Sequence, residues 1–554
     1  MAEAQQAQQE QQEQEQHGQE QHGQEQQGQE QHGQEQQEQE QQGQEQHGQE
    51  QQEQEQHGQE QHGQEQQGQE QHGQEQQGQE QQGQEQQEYE EQEGVQEGVH
   101  SFSSEKEWIK PDNEQTLERL EWFKDQKLAL MMHWGPYSQL GIVESWALSD
   151  EDEEWSRNGI DWEVDGEQFK QQYFGLNETF NPIRFQPELW AELAADNGFK
   201  YLIFTTKHHD GFCMWDTKTT DYRITDKKVP FHRHPKADIC RHLFDAFREK
   251  GLPIAAYFSK ADWHTPHYWA PGMERSETTW RGPSYDPQQH PELWEQFVQF
   301  THAQLEELLT EYGRIDILWL DAGWVRAGRL GQDIRLGEAV ERARQAGQPW
   351  LLSADRTVGG PYENYVTPEQ TIPEHPMSIP WESCITMGTS FSFRYEDEYK
   401  PLRQLVHMLV EVVAKGGNLA LNVGPQPDGR LPEGAIRRMK ELGAWLKVYG
   451  ESIYGTRICA PYYTGEWAFT CKGSDVYGFH LHPSEDSILT EWVELPYKEE
   501  VSEVVLLGET PVALEWKRED EGIAVRLPES QLQGPAPVAH VFRLSHRMQP
   551  IGER

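Results

Sequence analysis

Short apolar runs alternate with amphipathic stretches between about residues 102 and 452. An apolar run of a few residues that is bounded by polar or turn-forming residues is typical of a strand buried on both faces. Each of these runs ends in polar or aromatic residues. They predict six strands, within Leu128–Gly135, Tyr201–Gly211, Pro253–Trp263, Arg314–Trp324, Trp350–Arg356 and Asn418–Pro425.

The amphipathic stretches between the runs predict helices, most clearly over Pro187–Lys200, Ile239–Leu252 and Pro291–Gly313. Two of them begin at a proline, which suits the first turn of a helix, and all three stop at a glycine. Strand and helix in alternation predict a parallel sheet, and the length of residues 101–452 favours a (β/α)8-like, TIM-type barrel. A doubly wound sheet is the alternative, but neither GxGxxG nor GxxxxGK(S/T) follows any of the runs.

The pattern changes after about Ile453, where apolar and polar residues alternate in short segments separated by Gly, Pro and Asp. Examples are EWAFTCKG, DVYGFHLH, EVVLLG, ALEWKRED and GIAVRLPE. Short strands at regular intervals predict an antiparallel β-sandwich over residues 453–554. We expect it to pack on the barrel, and a sugar-binding role for it stays open.

Residues 1–100 repeat the unit GQEQH or GQEQQ with almost no aliphatic or aromatic side chains. Such a segment cannot bury enough apolar surface to offset the entropy of ordering the chain, so we predict a disordered tail. The tail holds 25 Glu and no Lys, Arg or Asp, which is about half of the net charge of -49. Its repeat also holds seven His, which would bind a transition metal only weakly.

The remaining residues carry a net charge of -24, obtained as -49 plus 25, without a basic cluster. This charge argues against nucleic acid and anionic membranes as partners, and no apolar run is long enough to span a bilayer. The five cysteines are odd in number and lack CxxC or ligand-like spacing. Together with the absence of a basic-then-apolar leader at the N-terminus, they favour a cytoplasmic location.

The run DILWLDAGW, residues 316–324, ends on a carboxylate, Asp321, between Trp319 and Trp324. Burial of an unpaired carboxylate is costly, so a structural reason for this residue is weak. In a parallel barrel the active site lies at the carboxyl ends of the strands. Other polar residues at predicted strand ends are His133, His208, His209, Tyr257, Asp262 and Arg356.

Aromatic faces combined with polar hydrogen-bonding groups suit a sugar ring, and carboxylates suit glycoside cleavage. The chain lacks a phosphate-binding loop, metal-ligand spacing and a nucleophilic Ser or Cys elbow. We therefore predict a glycoside hydrolase that uses no cofactor and no metal.

Several motifs resemble one family, the α-L-fucosidases of glycoside hydrolase family 29. They are MMHWGPYS (131–138), FTTKHHDGFCMWDT (204–217), YFSKADWH (257–264), DILWLDAGW (316–324) and PWESC (380–384). The resemblance runs from about Glu107 to Gly450 in the family's order. It implies a barrel followed by a β-sandwich, a retaining mechanism, a fucosylated oligosaccharide or glycoconjugate as substrate, and Asp321 as the nucleophile.

The second carboxylate of a retaining mechanism is a proton donor about 5 Å from the nucleophile. Three glutamates compete for this role: Glu363 in PYENY, Glu369 in VTPEQT and Glu382 in PWESC. The resemblance of TPEQ to the family's acid/base segment makes Glu369 the first choice and Glu382 the second.

The resemblance also implies sugar contacts from His133, His208, His209, Tyr257, Trp319 and Arg356. His208 and His209 are adjacent, so both can face one sugar only if the strand has ended before them. The commoner family pattern has a Glu-Trp dipeptide after the HWG segment, whereas Ser145 separates Glu144 from Trp146 here. By distance from His133 we assign Glu144 and Trp146 to this role.

Two other functions stay open from the sequence. A carbohydrate-binding protein could keep the barrel without turnover, although an intact Asp321 argues against this. A related enzyme could accept α-L-galactosides if the site is open near C6 of the sugar. Linkage preference and a homo-oligomeric state are also open.

Overall fold

A computed structural model of the protein describes residues 102–149, 152–157, 160, 162, 166–273 and 281–546. The predicted disordered tail, residues 1–100, lies outside the described residues. The described residues all fall in one compact unit.

The centre of this unit is a sheet of seven parallel strands in the order β5-β4-β3-β2-β1-β7-β6. All six apolar runs form strands, which confirms the predicted α/β barrel class. The seventh strand, ESCIT, begins on a charged residue and is not an apolar run. The strands are β1 Leu128–Met132, β2 Tyr201–Lys207, β3 Ile254–Ser259, β4 Ile317–Asp321, β5 Leu352–Asp355, β6 Glu382–Thr386 and β7 Asn418–Val423.

An irregular segment joins the two edge strands, β5 and β6, in the place of an eighth strand. We call residues 362–370 the closing segment. On one side the Asn364 amide donates to the Ser353 carbonyl of β5 at 2.9 Å. On the other side the Glu382 and Cys384 amides of β6 donate to the carbonyls of Val366 and Pro368, at 2.9 and 3.0 Å. The curled sheet is thereby closed into a (β/α)8-like barrel.

Helices surround the sheet because its outward side chains need an apolar cover. Alternate residues of β1 illustrate this: Leu130 faces the core between strands and helices, whereas Met131 faces the barrel interior. The three predicted helices form within their predicted bounds. The described helices are α1 Glu114–Gln126, α2 Glu153–Ser156, α3 Gly166–Phe174, α4 Pro187–Asp196, α5 Ile239–Glu249, α6 Pro291–Glu311, α7 Leu336–Gln345, α8 Leu402–Ala414 and α9 Glu433–Tyr449.

Two antiparallel sheets of six and three strands follow the barrel, as the alternating pattern predicts. Apolar side chains from both sheets form a shared core, which makes the pair a β-sandwich. The division between barrel and sandwich at residues 452 and 453 stays a prediction. The strands are β8 Arg457–Tyr463, β9 Trp467–Lys472, β10 Asp475–Leu481, β11 Trp492–Leu495, β12 Glu503–Leu506, β13 Val512–Ala513, β14 Trp516–Glu519, β15 Gly522–Arg526 and β16 Ala539–Ser545.

The sandwich packs on the barrel through α8. Arg403 of this helix donates to the carbonyls of His482, Ala536 and Pro537 at 2.6 to 3.1 Å, and His407 bonds the Val538 carbonyl at 3.0 Å. In the part of the chain that the structure describes, every helix is too short or too polar to cross a lipid bilayer.

Candidate active site

A cavity opens at the carboxyl ends of the barrel strands, where the sequence places the polar strand-end residues. It brings together nine of the predicted site residues from distant parts of the chain. These are His133, Glu144, Trp146, His208, Tyr257, Trp319, Asp321, Arg356 and Glu369.

Asp321 is the last residue of β4, so the strand holds its backbone while its carboxyl reaches the cavity. Its Oδ1 accepts a hydrogen bond from Arg356 Nη1 at 2.9 Å, and its Oδ2 accepts one from the Tyr257 hydroxyl at 2.8 Å. His209 Nε2 lies 3.4 Å from the same Oδ2. Burial would raise the pKa of this carboxyl, but the Arg356 charge and the neighbouring donors outweigh burial and hold the pKa well below its usual range. Asp321 is therefore ionised inside the protein.

Arg356 links two carboxylates. Its Nη1 binds Asp321, and its Nη2 binds Glu369 of the closing segment. Burial alone would lower the pKa of Arg356. The negative charges of Glu369 and Asp321 together have the larger effect and raise this pKa above its usual range. The two carboxyl groups are thus bound to the two terminal nitrogens of one guanidinium.

His133 follows β1 and presents an acceptor to the cavity. The side-chain amide of Asn422 donates to the Phe391 carbonyl at 2.6 Å, which turns Asn422 Oδ1 toward His133 Nδ1 at 2.8 Å. His133 Nδ1 must then carry the proton, so Nε2 keeps its lone pair. Burial lowers the pKa of His133 to about 4, which favours the neutral ring.

The strand that carries the histidine pair ends at Lys207, so both histidines lie beyond it. The Gly211 amide donates to the His208 carbonyl at 3.0 Å and closes a turn that lets both rings point toward the site. His208 lines the cavity and stacks on Tyr257, with ring centroids 6.0 Å apart. His209 is fully buried behind Asp321, against Trp263 and Trp324.

The insertion of Ser145 between Glu144 and Trp146 has a structural role, because the Ser145 hydroxyl bonds His208 Nδ1. Glu144 has a positive φ of 29°, and its Oε1 is buried without a hydrogen-bond partner among the described residues. Burial raises the pKa of Glu144 to about 8. This carboxyl is therefore placed to form a hydrogen bond with a hydroxyl group of a ligand.

The structure does not bring Glu382 or Glu363 to the cavity. Glu382 begins β6, at the opposite end of the barrel interior, where Tyr201 and Trp319 donate to its two oxygens. Burial raises its pKa to about 7. Glu363 accepts hydrogen bonds from the Ser103 hydroxyl and the Gly359 amide, both at 2.6 Å, and so anchors the closing segment.

Other residues that the sequence did not single out as site residues also line the cavity. Trp324 was visible in the same run as Asp321, whereas Arg281 and Phe391 have no local signal because they come from loops. Arg281 lies over Trp146 at 4.3 Å from the ring centroid and is held by Asp152. Met131, Gly323, Arg329, Thr357 and Cys384 complete this group.

The distances would let His208, His209 and Asp321 hold a metal ion, because their ligand atoms lie within 4.8 Å of one another. Both oxygens of Asp321 are already engaged, however, and the adjacent Arg356 charge would repel a second cation. The arrangement better suits two carboxylates acting on a bound sugar.

Comparisons with known proteins point to one family. The family model "Alpha-L-fucosidase" matches residues 95–451. Tissue alpha-L-fucosidase of Homo sapiens is 27% identical over 438 residues, which cover 74% of this chain and 85% of that protein. Alpha-L-fucosidase of Dictyostelium discoideum is 24% identical over 456 residues, which cover 76% of this chain and 92% of that protein.

Solved structures agree with this match. Alpha-L-fucosidase isoenzyme 1 from Paenibacillus thiaminolyticus has a TM-score of 0.63 and 29% identity, and the match covers 78% of this chain and 99% of that chain. The Thermotoga maritima alpha-fucosidase in complex with fucose has a TM-score of 0.62 and 27% identity, and the match covers 79% of this chain and 100% of that chain.

Proposed function

Because this chain belongs to the alpha-L-fucosidase family of glycoside hydrolases, we propose that it is a retaining exo-α-L-fucosidase. Its substrate would be a terminal α-L-fucosyl group on an oligosaccharide or glycoconjugate. One observation carries the proposal: Arg356 holds Asp321 and Glu369 side by side in the cavity.

In the first step Asp321 attacks the anomeric carbon. Its low pKa keeps it anionic, and each carboxylate oxygen retains a lone pair while it accepts its present hydrogen bonds. The C–O bond to the leaving group breaks as the ester to Asp321 forms. Glu369 is paired with Arg356 in the free protein, so it first takes up a proton from solvent as this pair opens, and it then gives that proton to the departing oxygen.

In the second step a water molecule attacks the same carbon. Glu369, now a carboxylate, takes the proton from the water, and the ester bond breaks to return Asp321 as a carboxylate. Two inversions leave the anomeric configuration unchanged. Glu369 is preferred to Glu382 because Glu369 lines the cavity, whereas Tyr201 and Trp319 engage both oxygens of Glu382 in the interior.

The polar groups around the cavity suit the hydroxyls of the sugar. His133 Nε2 offers an acceptor, and the partnerless Glu144 Oε1 can accept or donate a hydrogen bond according to its protonation. Trp146, His208 and Trp319 add aromatic faces. Met131, Cys384 and Phe391 line the cavity with apolar atoms, which suit the methyl group at C6 better than a hydroxymethyl group.

The test is hydrolysis of 4-nitrophenyl α-L-fucoside, with the α-L-galactoside and β-D-galactoside as controls. We expect the wild type to prefer the fucoside. Loss of the nucleophile in Asp321→Gly should reduce kcat by roughly 10³-fold or more. Azide should restore turnover of this variant and give β-L-fucosyl azide.

Glu369→Ala with azide should give α-L-fucosyl azide, because azide then attacks the ester intermediate. The same product from Glu382→Ala instead would transfer the acid/base role to Glu382. A wild type that binds fucose but leaves all three glycosides intact would be a carbohydrate-binding protein, and comparable turnover of the α-L-galactoside would show that the apolar wall does not select fucose.

A further inference from the structure

Three histidines lie on one face of the larger sandwich sheet, away from the cavity. His480 lies near the end of β10, and His482 follows the last residue of this strand, with the two ring centroids 4.4 Å apart. His540 of β16 is the antiparallel partner of His480. Strand pairing therefore brings His540 next to two imidazoles from a distant part of the sequence.

The ring nitrogens of this histidine cluster are close and incompletely bonded. One nitrogen from each ring lies within 4.8 Å of the others. His482 Nε2 lies 2.9 Å from His540 Nδ1, so at least one of these two rings is neutral and offers a lone pair. His480 Nδ1 and His540 Nε2 are buried, and neither has a hydrogen-bond partner among the described residues.

We propose that His480, His482 and His540 form a binding site for a divalent transition metal, with Zn²⁺ as the probe. Three neutral imidazoles are a common ligand set for Zn²⁺, and water or a carboxylate completes the tetrahedron. With Zn–N distances of about 2.0–2.1 Å, tetrahedral ligand atoms lie about 3.3 Å apart. The His482–His540 contact needs to open by a few tenths of an ångström, and the pairs that involve His480, which lie within 4.8 Å, need to close by up to about 1.5 Å.

The charges around the cluster are mixed. Glu466 is an exposed carboxylate whose negative charge acts on His480 and favours a cation near this ring. Arg403 and His407 of α8 lie on the other side of this balance, because positive charge on them disfavours a cation at His482. Arg403 donates to three backbone carbonyls, which partly offset its charge. We therefore expect weaker binding than in a site without a neighbouring cation.

A metal here would tie β10 to β16 next to the carbonyls that Arg403 and His407 of α8 bind. Its role would be to stabilise the sandwich at its contact with the barrel. The proposal departs from our sequence-based prediction of no metal, because the HLH spacing in DVYGFHLH gains its third ligand only through pairing with a distant strand.

Equilibrium dialysis of the full chain, freed of metal with a chelator, tests the proposal with Zn²⁺ and Co²⁺. The histidines of the N-terminal repeat contribute the same background to every variant. We expect the wild type to bind one more Zn²⁺ per chain than His480→Gln, His482→Gln or His540→Gln. Co²⁺ should give the intense visible absorption of a tetrahedral site in the wild type and in none of these three variants.

His546→Gln is the matched control, because His546 is a sandwich histidine that bonds Tyr497 outside the cluster. It should bind metal as the wild type does. Zn²⁺ should also raise the Tm of the wild type but not that of His480→Gln. If the variant of the buried His482 or His540 fails to fold, the His480→Gln variant tests the proposal. The His480 ring is only half-buried, so its replacement disturbs the packing less. Equal Zn²⁺ stoichiometry and an unchanged Co²⁺ spectrum in that variant would overturn the proposal.

Discussion

Asp321 stays charged in the interior because several donors converge on it. Arg356 supplies a full positive charge, and Tyr257 supplies one hydrogen bond to the other oxygen. Interactions of this kind determine the pH at which a buried carboxylate becomes protonated. The two donors differ in strength, so their removal should give graded effects.

Tyr257→Phe and Arg356→Met should both raise the pKa of Asp321, and Arg356→Met should raise it more, because it removes a charge rather than a dipole. The acid limb of kcat/KM should therefore move to higher pH in the order wild type, Tyr257→Phe, Arg356→Met. A hydrogen bond to a charged group is worth about 1.5–3 kcal/mol, so the Tyr257 variant should shift by roughly one pH unit or more. The measurement is a pH–rate profile, and an unmoved limb in both variants would contradict Asp321 as the nucleophile.

Glu144 should cost the protein stability at neutral pH. Burial raises its pKa from 4.5 to about 8. Between these values the unfolded chain releases a proton that the folded chain retains, so the free energy of unfolding falls as pH rises, by up to about 1.4 kcal/mol per pH unit. Glu144→Gln removes this penalty, so its Tm relative to the wild type should increase from pH 5 to pH 8, while KM for the fucoside rises. A Tm difference that is independent of pH would contradict the buried, protonated state.

At the scale of elements, the closing segment has two functions. It supplies the hydrogen bonds that join β5 to β6, and it carries Glu369 to the cavity. A regular eighth strand would fix the backbone by its own pairing, whereas this irregular segment depends on side-chain anchors. Glu363, held by Ser103 and by the Gly359 amide, is one such anchor.

Ser103→Ala removes a buried hydroxyl donor from Glu363 and should loosen the closing segment. We expect kcat to fall by roughly 3- to 10-fold with little change in KM, which corresponds to about 1 kcal/mol. Hydrogen exchange of residues 362–370 should be faster than in the wild type. Ser104→Ala is the matched control, because Ser104 is the next residue along the chain and its side chain is exposed. Equal exchange and equal kcat in both variants would count against an anchoring role.

For the whole molecule, the residues just before the first helix belong to the catalytic barrel. Trp108 Nε1 donates to the Asn364 carbonyl at 3.1 Å, and Ser103 bonds Glu363. Both contacts reach the closing segment from a part of the chain that follows the Gln-rich repeat. The boundary between dispensable and required residues should therefore be sharp.

Removal of residues 1–100 should leave kcat within about 2-fold of the wild type, because the repeat lacks apolar side chains that could pack on the barrel. Removal of residues 1–110 should lower both Tm and kcat, because it deletes Ser103 and Trp108. Fucoside hydrolysis and thermal unfolding of the two shortened chains provide the measurement. Loss of activity on removal of residues 1–100 alone would give the repeat a functional role.

The sequence by itself determined the class of the fold and the end of the barrel that carries the site. Apolar runs report strands buried on both faces, because burial of a strand excludes polar side chains along its whole length. A carboxylate such as Asp321 at the end of such a run stands out against this background. The alternating pattern after Ile453 likewise indicated the sandwich.

Only the tertiary structure decided which residues meet. It showed that the closing segment takes the place of an eighth strand, that Ser145 supports His208, and that Glu369 rather than Glu382 shares Arg356 with Asp321. It also brought His540 to His480. These contacts join residues far apart in the chain, and local patterns cannot encode them, because they depend on strand order and loop path.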